Sequence, residues 1–153
     1  MKKIKVVGYI IRKKQEATEL LVFEHLDHPS AGIQVPAGTV ERWDTNLESA
    51  LFREIYEESG ISKDHLKIIQ KLGSYDYFSP LKIEVHERHT YLLHTSITTN
   101  TWIHQVVSNG LDNHLRFKYY WLPLNKNRIE LAGELGKMLD DITPPFLPTD
   151  VAY

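Results

Sequence analysis

Residues 46 to 59 constrain this chain most, because a helical pattern there stands alone between β-rich segments on both sides. Thr45-x-x-Glu48 supplies a capping box and Gly60 a stop, so a helix is expected between them. Each helical residue advances about 100° around the axis. Leu51, Phe52, Ile55 and Tyr56 then gather on one broad side as a core face, while Glu54, Glu57 and Glu58 share an arc on another. Leu47 and Ala50 lie at the azimuth of that acidic arc but one to two turns earlier, so this side is expected to be packed at its start and open at its end.

The flanks are sheet. Residues 4 to 11 and 19 to 25 carry strand-like density around a polar loop or hairpin at Lys13 to Thr18, and residues 32 to 36 make a short extended piece before Pro36 and Gly38. Residues 66 to 78, 82 to 97, 101 to 107 and 116 to 122 are rich in Ile, Val, Tyr, Thr and Trp, as strands are. A second helix is expected from Asn127-x-x-Glu130, with Leu131, Leu135, Met138 and Ile142 at helical spacing despite Gly133 and Gly136. The Pro-rich tail from Thr143 to Tyr153 is expected to run extended along the surface.

A chain of 153 residues suits one domain with its own core. Its net charge of -2 offers no basic footprint, so extended nucleic acid is not expected as a partner. With no cysteine, disulfides, thiolate metal sites and thiol nucleophiles are excluded, and a reducing cytoplasm is the expected location. Lys2, Lys3 and Lys5 precede a short apolar run that Arg12-Lys13-Lys14 cuts off, which fits a first strand better than a signal peptide. No run approaches the roughly 18 apolar residues of a membrane span, so no membrane partner is expected.

Three glutamates and one arginine fall within Arg53 to Glu58. Like charges three or four residues apart cost a helix about 0.2–0.5 kcal/mol per pair, so the arrangement works against the local structure unless something cationic offsets it. Arg53 can reach Glu57 one turn on, which leaves two glutamates without a local partner. Converging carboxylates suit a hard divalent cation such as magnesium, which takes oxygen ligands and draws phosphate into its remaining positions. An acidic helix face is usually just a solvated surface, and spacing alone does not decide against that. Pro36-Ala37-Gly38 adds a turn where backbone can approach closely.

The larger pattern resembles the signature box of the Nudix hydrolase family. Gly38 matches its first glycine, and Arg53-Glu54-Ile55-Tyr56-Glu57-Glu58-Ser59-Gly60-Ile61 matches its second half. The middle departs: Asp44 stands where a glutamate is usual, Trp43 replaces a frequent glycine, and the stretch from Gly38 to Arg53 is one residue longer than the family pattern. The resemblance implies an α/β/α sandwich with a mixed central sheet. It also implies magnesium- or manganese-dependent hydrolysis of a nucleoside diphosphate linked to another group. By position, Glu57 and Glu58 would ligate metal, Glu54 would ligate metal or act as base, Gly38 would offer its carbonyl oxygen, and Arg53 would orient the glutamates.

Family members often add an acid from a later strand or loop. Glu84 and Glu87 are the candidates, Glu87 ahead, although alternating polar residues also fit a strand face in water. His86 and His89 would point to opposite faces of a strand, which disfavours zinc; Arg88 and a histidine there could contact substrate instead. Tyr77 could stack on a base, or Tyr75 and Tyr77 could simply pack one strand face. The expected partner is a small nucleotide pyrophosphate, and the late aromatic strands with the Pro-rich tail suit a homodimer. The alternatives are a non-catalytic nucleotide-binding module on the same fold and an isoprenoid diphosphate isomerase, the latter lacking here the cysteine that branch uses.

Overall fold

The computed structural model describes residues 2–124 and 129–142. Its elements run β1 (Lys2–Lys14), β2 (Ala17–His25), β3 (Ala37–Thr39), α1 (Leu47–Ser59), β4 (Leu66–Ser79), β5 (Glu84–Thr95), β6 (Trp102–Gln105) and β7 (Arg116–Pro123). They form one mixed sheet ordered β4-β5-β1-β2-β7-β6, with β3 attached to β1. The β1–β5 pair is parallel and the other pairs are antiparallel.

Strand alternation divides the core in two. Val6 and Ile10 of β1 join Leu21, Phe23, Leu51, Ile55, Tyr91 and Leu93 under α1. Val7, Tyr9 and Ile11 join Leu20, Val22, Leu92, Leu135 and Ile142 on the opposite face. A sheet covered on both faces is the α/β/α sandwich that the sequence led one to expect, but its second outer layer is not an α-helix. Residues 132–134 and 139–141 are single 3-10 turns, and Gly133 and Glu134 both have a φ of 58°. The expected apolar residues still face the sheet. Glycine is a poor helix former, and the turns here wrap the Tyr9 hydroxyl, which donates to the Leu135 carbonyl at 2.5 Å and accepts the Met138 N–H at 3.3 Å. Asn127, its expected start, and the tail from Thr143 lie outside the described residues.

β1 carries the geometry that matters for function, because two strands share one of its edges. β3 pairs with Lys5, Val6 and Val7, and β2 pairs with Ile11 to Lys14. The hairpin between β1 and β2 is tighter than expected, with only Gln15 and Glu16 at its tip. The segment before α1 also differs from expectation. Residues 32 to 36 form no paired strand, only an isolated bridge from Gln34 to Phe23, and the paired strand is Ala37-Gly38-Thr39 itself. What looked like a turn is therefore a short edge strand. Pro36, lacking an N–H, contributes its carbonyl to Gly8 N at 2.9 Å. Among the described residues no helix is long and apolar enough to cross a membrane.

Candidate active site

α1 starts one residue later than the capping-box pattern placed it. Asn46 is the N-cap, and its Oδ1 accepts from Ser49 N at 2.8 Å. Gly60 ends the helix in the left-handed region at φ 81°, its N–H donating to Tyr56 O. Leu51 and Ile55 are buried as expected, whereas Tyr56 is 58% exposed. The acidic arc is covered instead: Glu54 and Glu58 are only 7% and 6% exposed, and Glu57 is half-buried. Glu54 is admitted because its neighbour on β3 has no side chain. A Cβ on Gly38 would fall 2.0 Å from the Glu54 carboxyl carbon.

Arg53 organises the cluster. Its Nε and Nη2 fork onto Asp44 at 2.9 and 2.8 Å, and Nη2 also donates to the Thr39 carbonyl at 2.9 Å. Nη1 reaches Glu54 at 3.0 Å and Glu57 at 3.3 Å. The Asp44 carboxylate accepts the Glu41 N–H at 2.7 Å as well, which closes the longer loop. Asp44, noticed in the sequence only as a departure, is thus the anchor of the arginine. Its signal was an acid displaced within a loop that had also gained a residue.

The far end of α1 is held with equal completeness. A helix leaves its last four carbonyls without partners inside the helix. Here Gly60 N takes Tyr56 O, while the ring nitrogen His104 Nε2 (3.0 Å) and the backbone N–H of Val107 (3.3 Å) take Glu57 O. Tyr119 Oη takes Glu58 O at 2.8 Å, and Trp102 Nε1 takes Ser59 O at 3.0 Å. Side chains from β6 and β7 therefore fix the turn that carries Glu57 and Glu58.

Burial pushes the Glu54 carboxyl up to about 7; Arg53 opposes the rise, and the charges of Glu57 and Asp112 add to it. Burial likewise pushes Glu58 well above the usual range, with Glu54 and Asp112 adding to it and the Ala37 N–H, 3.2 Å from its Oε1, opposing it. Asp112 was missed in the sequence. It lies in the loop between β6 and β7, where Ser108 Oγ donates to it at 2.6 Å and the Val107 N–H ties the loop to α1.

The donors fit a hard divalent cation: carboxylates from one helix, two of them buried, beside the backbone of Gly38. Among the described residues no three His, Asp or Glu side chains converge as a finished metal centre. Arg53 Nη1 bridges Glu54 and Glu57 where such a cation would have to compete.

The remaining expected residues fall on the two faces of β5. Glu87 lies on the α1 side by alternation with Tyr91 and Leu93, and pairs with Lys2 at 3.1 Å and His89 at 2.7 Å. The His89 ring nitrogen and Lys2 hold its carboxyl below the usual range. Arg88 and His86 lie on the other side, as the strand period required. Arg88 donates to Gly133 O at 2.5 Å and covers the Tyr77 ring at 4.0 Å from its centroid. Arg88 therefore ties β5 to the late segment, and Tyr77 already has a cation on its ring.

A family model described as NUDIX domain matches residues 1–142. No curated protein sequence matches the chain. Among solved structures, a C. elegans Ap4A hydrolase binary complex is similar at a TM-score of 0.66 and 20% identity, over 91% of this chain and 93% of that one. A MutT NUDIX hydrolase from Burkholderia pseudomallei is similar at 0.64 and 22%, over 94% and 99%. The NUDIX domain of Shewanella oneidensis NrtR complexed with ADP ribose is similar at 0.59 and 14%, over 92% and 86%. At these identities the structural likeness concerns the fold.

Proposed function

The chain belongs to the Nudix hydrolase family, and from that premise we propose that it hydrolyses a pyrophosphate bond in a small nucleotide derivative with the help of magnesium or manganese. The observation that carries this is the carboxylate cluster: Glu54 and Glu58 are buried with raised proton affinity on a helix whose two ends are fixed, next to an edge strand cleared by Gly38.

Glu57, Glu58 and the Gly38 carbonyl would hold the cation, with Glu54 beside them. Bound there, it would neutralise phosphoryl oxygens and acidify water. Glu54, with its carboxyl at about 7, is matched to accepting the proton of an attacking water near neutral pH. Arg53 keeps Glu54 and Glu57 oriented through its hold on Asp44 and Thr39. Tyr77 and Arg88, the substrate contacts expected from the sequence, would have to leave each other and Gly133 to meet a nucleotide.

A further acid outside the helix comes from Glu87 or Asp112. Asp112 is favoured because its charge reaches both Glu54 and Glu58, whereas Glu87 is engaged by Lys2 and His89. Compared side by side, Asp112→Asn is expected to lower kcat more than Glu87→Gln; the reverse order would return the role to Glu87.

The test of function is a panel of nucleoside triphosphates, nucleotide sugars, ADP-ribose and dinucleoside polyphosphates incubated with magnesium and resolved by chromatography. Turnover should fall about 10²–10³-fold in Glu57→Gln, the scale for removing one group that stabilises charge in a transition state. Binding without turnover across the panel would instead favour a nucleotide-binding regulatory module, against which the retained Glu54, Glu57 and Glu58 argue.

A further inference from the structure

The loop in which the chain departs from the family pattern is closed twice. The Asp44 N–H donates to the Glu41 carbonyl at 3.0 Å, and the Glu41 N–H donates to the Asp44 carboxylate at 2.7 Å, so residues 41–44 form a tight turn. Arg42 and Trp43 occupy its two corners. The Asp44 side chain, 4% exposed, is gripped in turn by the fork of Arg53. A fixed turn therefore presents to solvent an indole that is 59% exposed, beside an exposed guanidinium.

Tryptophan is among the most buried residues on average, and its large flat face is a contact surface. Here that face has no ring or cation partner among the described residues, and Arg42 has no ion pair among them. The turn needs neither side chain. Its position says what they serve. One guanidinium separates it from the carboxylate cluster, since Arg53 Nη2 lies 2.8 Å from Asp44 and Nη1 3.0 Å from Glu54. Tyr56, 58% exposed, follows Arg53 at i+3 and so borders it on the helix surface. Two exposed aromatic side chains thus flank the arginine that orients the glutamates. A flat apolar ring with a cation at its side suits a group that is both planar and anionic, which describes a nucleotide and not a neutral sugar.

We propose that Trp43 is a specificity-determining residue that stacks on a second nucleobase while Arg42 meets the phosphate attached to that nucleoside, so that the preferred substrates are dinucleoside polyphosphates. This assignment rests on the pyrophosphate hydrolysis set out above and names what the nucleoside diphosphate is linked to.

Diadenosine tetraphosphate and ATP share one adenosine and differ in the second, so their rates test it. Stacking of a base on an aromatic side chain is worth a factor of about 5 to 150. Trp43→Ala should lower kcat/KM for diadenosine tetraphosphate by that factor, chiefly through KM, and for ATP by a much smaller one. Trp43→Phe should keep more of the preference, and Arg42→Ala should lose less of it than Trp43→Ala. Manganese affinity without nucleotide should be the same in all three variants. A second readout needs no turnover. The other two tryptophans, Trp102 and Trp121, are half-buried and buried, so acrylamide quenching of tryptophan fluorescence reports chiefly on Trp43. Diadenosine tetraphosphate with manganese, read before turnover, should protect the unaltered protein from quenching and change nothing in Trp43→Ala.

Equal losses on the two substrates in Trp43→Ala, or no loss on diadenosine tetraphosphate, overturn the assignment. So does a fall in manganese affinity in Trp43→Ala, which would make the residue a support for Asp44. Turnover of other panel members without turnover of diadenosine tetraphosphate also overturns it and leaves the hydrolase function standing. Protection of Trp43 by diadenosine tetraphosphate without turnover of any substrate would remove the hydrolase function and leave this site.

Discussion

Every nitrogen of the Arg53 guanidinium is engaged, and its partners come from β3, the loop before α1 and α1 itself. A lysine cannot reproduce the fork on Asp44. Arg53→Lys should therefore lower metal affinity or kcat about 10–100-fold, the scale for partners that orient ligands, as read by manganese titration and steady-state rates. The buried glutamates make a different prediction. Because Glu54 and Glu58 bind protons more tightly folded than unfolded, the folded state carries the extra protons between pH 4.5 and about 7. Stability of the metal-free protein should fall as pH rises through that window. Asp44 acts with the opposite sign at lower pH, since Arg53 depresses its carboxyl and that contribution is lost as pH falls below 3.8. Melting curves from pH 4.5 to 7.5 should show a flatter profile for Glu58→Gln; identical slopes would mean that the carboxylate is not held neutral by burial.

α1 is tied at both ends by other parts of the chain. At its start Asn46 and the Arg53–Asp44 fork close the loop, and at its end Trp102, His104 and Tyr119 satisfy successive carbonyls. Anions at a helix C-terminus oppose the helix dipole, so Glu57 and Glu58 work against the element that carries them, and these donors offset part of that cost. Tyr119→Phe leaves the Glu58 carbonyl buried without its partner. It should destabilise by about 1–3 kcal/mol in chemical denaturation and raise amide exchange at residues 57–60. Unchanged exchange there would show that the helix end is held by packing alone. The same element shows what the sequence could convey. Its length, its acid spacing and its stop at Gly60 were legible because they depend on neighbours within a turn or two. The burial of Glu54 and Glu58 was not, since periodicity cannot reveal that the strand facing them is cleared by Gly38.

At the scale of the molecule, the two-face alternation of β1 assigns α1 to one side and the late segment, with Leu135 and Ile142, to the other. Most strands were legible from β-rich density. The late segment was not, because its apolar spacing served a helix and a chain of 3-10 turns equally, and the turns form around the hydroxyl of Tyr9 from a distant strand. The sequence by itself determined the box helix, the arginine and the three glutamates, since these are neighbours along one covalent stretch. Only the tertiary structure decided that Asp44 anchors the arginine, that Asp112 adds its field from the β6–β7 loop, and that Trp43 stands exposed on a turn fixed to Arg53. Those relations depend on loop closure and on the register of β3 and β5 against β1, and register is set by contacts between residues far apart in the chain.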